Sequence, residues 1–245
     1  MSEEKEGYRV LNRDVIKYIA MLTMLLNHIS HMLPKEEMFL SELFVDVGYF
    51  TAITMCYFMV EGYRYTRSKK RYGRRLLLFA IISQFPYSLV FGIENGFSMI
   101  YTLFLCFMIL VVREKVTDVI LKNGLVLALV LATCVGDWPI LAAIFVILFD
   151  MAGADKKKFW YAYVVGMLGI GSMKFMVGYI GLKYSIPKSL LYAAGGSLGV
   201  LSSGLIIRYL YNGKRATHGQ NISKWFFYIF YPAHLLVLGI IDRMM

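Results

Sequence analysis

A chain of 245 residues in which 58% are hydrophobic, 16% aromatic and only 17% charged is too apolar for a water-soluble domain, so a bilayer is its natural solvent. A formal net charge of +10 sits in short clusters that flank apolar runs, not in a soluble basic domain, which argues against a nucleic-acid partner. Cys56, Cys106 and Cys134 lie in apolar stretches without CxxC spacing, so neither a disulfide framework nor a metal site is expected.

The opening residues, MSEEKEGYRV, are acidic and polar and lack the basic start, short apolar core and small-residue cleavage site of a secretory signal. Residues 1–13 are therefore expected to stay as a polar cytoplasmic segment of a single domain spanning 1–245. Beyond them, charge clusters bound nine candidate membrane helices, at 14–33, 43–63, 76–92, 97–112, 123–136, 138–152, 159–179, 189–208 and 224–241. The fifth and sixth are short and meet at Val135-Gly136-Asp137-Trp138-Pro139, where Gly, Asp and Pro mark a turn. Trp138 there reads as an interfacial aromatic anchor.

Orientation follows from the positive charges, since cytoplasmic loops carry the excess of Lys and Arg. With the N-terminus inside, 21 of the 26 fall on the cytoplasmic side. Merging the fifth and sixth segments would move Lys156 to Lys158 outside and spoil that asymmetry. The expected architecture is an all-α, polytopic membrane bundle of about nine helices, within eight to ten.

The densest charge is the loop 64–75, with seven cations in twelve residues. Such a loop can anchor a helix pair on anionic lipid. It can also bind a phosphorylated cosubstrate, because Arg forks hold phosphate bidentately and the interleaved tyrosines can stack on a base. Ionisable groups inside the apolar segments are costly there and mark candidate function. These are His28 and His31 on one face of the first helix, Asp46 and Glu61 near the two ends of the second, and His234 in the ninth after Tyr231-Pro232. Imidazole suits general-base work near neutral pH, which singles out His28 and His234, while His31 reads as a packing residue. Two histidines without a third clustered ligand do not make a zinc site, and no nucleophile elbow, P-loop or Rossmann glycine pattern occurs.

Four blocks, taken in order, resemble the TraX family of membrane proteins: Lys17–Ile29 (KYIAMLTMLLNHI), Tyr57–Arg67 (YFMVEGYRYTR), Arg74–Pro86 (RRLLLFAIISQFP) and Tyr231–Leu235 (YPAHL). The likeness is strongest in the first 100 residues and the last helix. TraX proteins are associated with N-acetylation of pilin and are similar to the wider transmembrane acyltransferase group, which draws acyl groups from cytosolic acyl-CoA. The resemblance implies an acetyl-CoA-dependent transferase in a bacterial plasma membrane, acting on a peptide amine, a glycan or a small molecule. It places the catalytic base on His28 and CoA-phosphate binding on Arg64, Arg67, Arg74 and Arg75, while His234 and Glu61, read from the residues themselves, are the further catalytic candidates. Acyl-CoA and membrane lipid are the partners it implies, with no metal. Asn27 stands before the helix-one histidine where many relatives carry an acid, so Glu61, Asp46 or another group is expected to supply the carboxylate. A small-molecule or lipid transporter and a non-catalytic scaffold are the alternatives from other classes.

Overall fold

The computed structural model describes residues 8–217 and 220–244. Among them nine α-helices follow one another: α1 Arg13–Ser30, α2 Met38–Tyr65, α3 Lys69–Phe91, α4 Met99–Lys115, α5 Val119–Ala132, α6 Leu141–Ala152, α7 Lys156–Met176, α8 Ile186–Leu205 and α9 Gln220–Met244. Five stretches are long and apolar enough to cross a bilayer: Met38–Tyr65, Lys69–Phe91, Lys156–Gly181, Ile186–Leu210 and Ile222–Met244. Helices α5 and α6 are apolar but short, and the turn expected between them is present.

Short polar side chains start the helices where the sequence offers them. Asn12 accepts from the backbone N–H of Asp14 and Val15, each at 3.0 Å, and opens α1. Asp118 accepts from Leu121 N at 2.7 Å and opens α5, while Asp155 accepts from Lys157 N at 2.8 Å and Lys158 N at 3.3 Å and opens α7. Pro187 sits in the first turn of α8, where its missing N–H costs nothing. Helices α7 and α8 both run on into π-helical turns, at Val177–Gly181 and Ile206–Leu210.

The chain divides into two compact units, each assembled from separated segments. The first comprises residues 1–55 and 160–227, and the second 56–159 and 228–245. Because each unit collects pieces from both halves of the chain, no linker marks the boundary in the sequence.

In the first unit a hydroxyl chain runs through the interior, with Thr54 Oγ1 2.7 Å from Ser203 Oγ and Tyr163 O–H 3.2 Å from the same oxygen. All three side chains are fully buried, and paired hydroxyls satisfy one another where lipid and protein offer no water. An extended segment closes this unit at one end. Leu11 N donates to Leu210 O and Asn212 N to Leu11 O, both at 2.9 Å.

In the second unit α3 and α9 pack in parallel. The Phe79 and Tyr228 rings stack at 4.9 Å, and farther along both helices Leu89 packs against Gly239. Each of these two helices carries an internal proline, Pro86 and Pro232, whose missing N–H leaves a carbonyl open for other partners.

Candidate functional site

At one end of the second unit the basic loop is partly neutralised. Arg64 donates to the Asp150 carbonyl at 2.5 Å and reaches its carboxylate at 3.4 Å, while Arg113 Nε donates to the other carboxylate oxygen at 2.9 Å. Glu114 receives both the Lys69 ammonium and the Tyr63 hydroxyl, and those two bonds hold its carboxyl below the usual range. Arg67, Lys70, Arg71 and Arg74 stand exposed. Arg75 differs from them. It is half-buried on α3 and bonded to the Tyr228 hydroxyl, and its guanidinium lies 5.8 Å from the Tyr72 ring centroid and 6.0 Å from that of Tyr228. Its Nε is buried without a hydrogen-bond partner. A buried guanidinium donor left open is costly, and an anionic or strongly accepting group bonded there would relieve that cost.

Farther along the same two helices lies a cluster of buried polar groups. Gln84 on α3 donates to Gly96 O at 2.8 Å and accepts from Ser98 N at 3.2 Å, fixing the start of α4 against α3. The Tyr231 hydroxyl on α9 accepts from Met99 N at 3.2 Å. Ser83 Oγ and Ser98 Oγ are fully buried and lack hydrogen-bond partners, although Ser98 holds the N-cap position where a serine ordinarily bonds its own helix. His234 is 7% exposed, stacked on Phe230 at 4.8 Å and edge-on to Tyr231 at 5.7 Å. Its Nδ1 lies 2.7 Å from the Phe230 carbonyl. A carbonyl only accepts, so Nδ1 carries the proton and the lone pair of the neutral ring lies on Nε2.

In the first unit His28 is 6% exposed at the end of α1. The neighbouring Asn27 touches Gly48, where a Cβ would overlap its amide, so α1 and α2 approach closely here. Two residues before Gly48, Asp46 pairs with Lys174, which is itself 2% exposed and also 3.3 Å from Glu42. The Lys174 ammonium lies 4.0 Å from the Tyr192 ring centroid, and the Tyr192 hydroxyl donates to Glu42 at 3.1 Å. Helix α8 makes room with glycines: a Cβ on Gly195 or Gly199 would overlap Asp46, and one on Gly196 would lie 2.6 Å from Lys174 Cδ.

Of the residues singled out in the sequence, Arg64, Arg67, Arg74, Arg75, Glu61 and His234 belong to the second unit, and His28 belongs to the first. Glu61 is half-buried near the basic end of α2. Arg64 is engaged by Asp150, so Arg75 and its tyrosines are the better-formed part of the basic face. Sequence reasoning passed over Asp150, Ser83, Ser98 and Lys174, although it had singled out Lys174's partner Asp46. The signal available for Lys174 was a lone cation inside an apolar run, with acids spaced four apart at Glu42 and Asp46 on α2.

These features define a multi-pass helical membrane protein with a basic end, a buried histidine and polar groups enclosed within both units. The TraX protein family model matches residues 12–242, and the chain belongs to the TraX family. It is also 28% identical over 235 residues to the probable fimbrial assembly protein FimC, serogroup H1, of Dichelobacter nodosus, covering 91% of this chain and 92% of that protein. No solved structure matches.

Proposed function

We propose that the protein is an acyltransferase of a bacterial plasma membrane that takes an acetyl group from cytosolic acetyl-CoA and delivers it to an amine or hydroxyl. The observation that carries this reading is Arg75, a half-buried guanidinium with an open buried donor between two tyrosine rings, at the end of a cluster of exposed cations. Arg74 and Arg75 bind the donor's phosphates, with Arg67 adding field, and the tyrosines pack against its base.

From Tyr228, which bonds Arg75, to His234 is six residues of α9, a rise of about 9 Å, so the donor's acyl end is carried along α9 toward the histidine. The acceptor X–H attacks the thioester carbonyl, X–C forms and C–S breaks. His234 Nε2 takes the proton and returns it to the departing sulfur, leaving free CoA. His28 is the second candidate base, in the other unit, and Glu61 assists from the basic end. The name of the Dichelobacter relative favours surface-filament assembly as the setting. In this reading the chain crosses the membrane nine times, with its N-terminus and basic loop on the cytoplasmic side.

Calorimetry of acetyl-CoA on the detergent-purified protein tests the donor site. Saturable binding, weakened both by removing the donor's 3′-phosphate and by Arg74→Ala/Arg75→Ala, is the expected result. Folded protein that ignores acetyl-CoA at millimolar concentration would leave a transporter or a lipid-binding scaffold in its place.

A further inference from the structure

The hairpin between α5 and α6 is strained in a way its length does not require. Trp138 and Ile140 hold φ of 58° and 61°, which side chains of their bulk rarely adopt. The segment is nevertheless clamped. Phe97 N donates to Val135 O and Asp137 N to Phe97 O, both at 2.8 Å, Thr102 Oγ1 donates to Asp137 O at 2.7 Å, and Ile140 N to Thr133 Oγ1 at 2.9 Å. Two glycines permit the docking: Gly96 has φ of 77° and a Cβ there would overlap Val135 O, and a Cβ on Gly136 would overlap Thr102 Oγ1.

What the clamp holds in place is Asp137. Phe97, to which Asp137 is bonded, precedes Ser98 and Met99; Gln84 accepts from Ser98 N and the buried Tyr231 hydroxyl accepts from Met99 N, so Asp137 lies beside the buried polar groups that include the partnerless Ser98 hydroxyl. Asp137 is half-buried, and a carboxylate drawn partly out of water costs stability unless it is well paired. Burial pushes the Asp137 carboxyl up to about 6, with the Trp138 N–H pulling the other way.

We propose that the strained turn serves to present Asp137 as the acceptor-side carboxylate, which accepts one N–H of an incoming amine beside Tyr231 and Ser98. This rests on the acyl-transfer reading above. Asp137 orients the amine through one N–H, while His234 takes a second proton from the same nitrogen as N–C forms and C–S breaks. The site lies about 14 Å along α3 from Arg75, counted from there to Gln84, so donor phosphates and acceptor occupy opposite ends of the second unit.

The isosteric Asp137→Asn removes the charge and keeps the shape, and two readouts follow. In the first, melting of wild type and variant is compared at pH 7.5. A half-buried carboxylate kept for function costs stability, so the variant is expected to melt higher than wild type, whereas a structural aspartate would make it melt lower. In the second, with hydroxylamine as surrogate acceptor, the variant is expected to raise the KM for hydroxylamine at least about tenfold, a loss near 1.4 kcal/mol. The KM for acetyl-CoA stays unchanged. A variant that melts lower, or that handles hydroxylamine as wild type does, overturns the assignment. If wild type transfers no acetyl group, the acyltransferase reading fails, and the melting comparison alone then decides whether Asp137 is a functional carboxylate.

Discussion

The Nδ1 nitrogen of His234 lies 2.7 Å from the carbonyl oxygen of Phe230, one helical turn earlier on α9. That single bond assigns the tautomer and aims the basic nitrogen away from the helix backbone. His234→Gln keeps a hydrogen-bonding side chain and loses the base. Its transfer rate is expected to fall by about 10²–10⁴, with the KM for acetyl-CoA little changed and the melting temperature preserved. Assaying His28→Gln in parallel assigns the base, since the histidine that takes the proton shows the larger fall in kcat.

Arg75→Lys is expected to fail where a conservative change would ordinarily be tolerated. Lysine keeps the charge but cannot offer a guanidinium edge between Tyr72 and Tyr228. Loss of a hydrogen bond to a charged group costs about 1.5–3 kcal/mol, so the Kd for acetyl-CoA should weaken by roughly tenfold or more in calorimetry. Arg64→Lys, at a residue engaged by Asp150, should change it far less.

Lys174 illustrates how costly it is to break an enclosed ion pair on one side only. Its side chain is 3% exposed and its partners Asp46 and Glu42 are 20% and 30% exposed. Lys174→Met leaves two carboxylates without their cation, a loss of about 3–5 kcal/mol that thermal melting would register. Adding Asp46→Asn to that variant is expected to recover part of the loss. Gly199→Ala, whose methyl would collide with the Asp46 carbonyl, should destabilise the same unit by a backbone route that no side-chain rotation relieves.

Acid should loosen two polar ends in a predictable direction. The Lys158 and Lys157 N–H groups hold Asp155 below the usual carboxylate range, and Lys69 with Tyr63 does the same for Glu114. A carboxyl depressed in the folded state contributes stability above its unfolded value and loses it as pH falls through the folded one. Melting temperature should therefore drop on acidification below the usual carboxylate range. The drop should be smaller in Asp155→Asn, which keeps the cap and lacks the titration.

Much of the fold could be read from the chain because bilayer chemistry is periodic and coarse. Apolar runs between charge clusters located the nine helices, and Gly136-Asp137-Trp138-Pro139 located the short hairpin between α5 and α6. The division into two units was not readable, since α2 and α9 each contribute to both and no composition shift accompanies the change. Among functional candidates, side-chain type identified Arg75 and His234, but not that Asp150 engages Arg64 or that Ser83 and Ser98 go without partners. Those depend on which helices become neighbours. Asp137 shows the same limit: an aspartate in a turn looks solvated in the sequence, and nothing there shows that Phe97 and Thr102 bind its main chain and dock the turn on α4.

The engagement of Arg64 by Asp150 and of Lys69 by Glu114 alters the electrostatic valence of the basic loop. Seven cations are written between positions 64 and 75, yet an approaching polyanion meets about five that are not already answered by a carboxylate. The dependence of ligand affinity on ionic strength should accordingly be that of a five-charge surface. Neutralising Asp150 by Asp150→Asn should steepen it, strengthening anion binding in dilute buffer and leaving it nearly unchanged in concentrated salt.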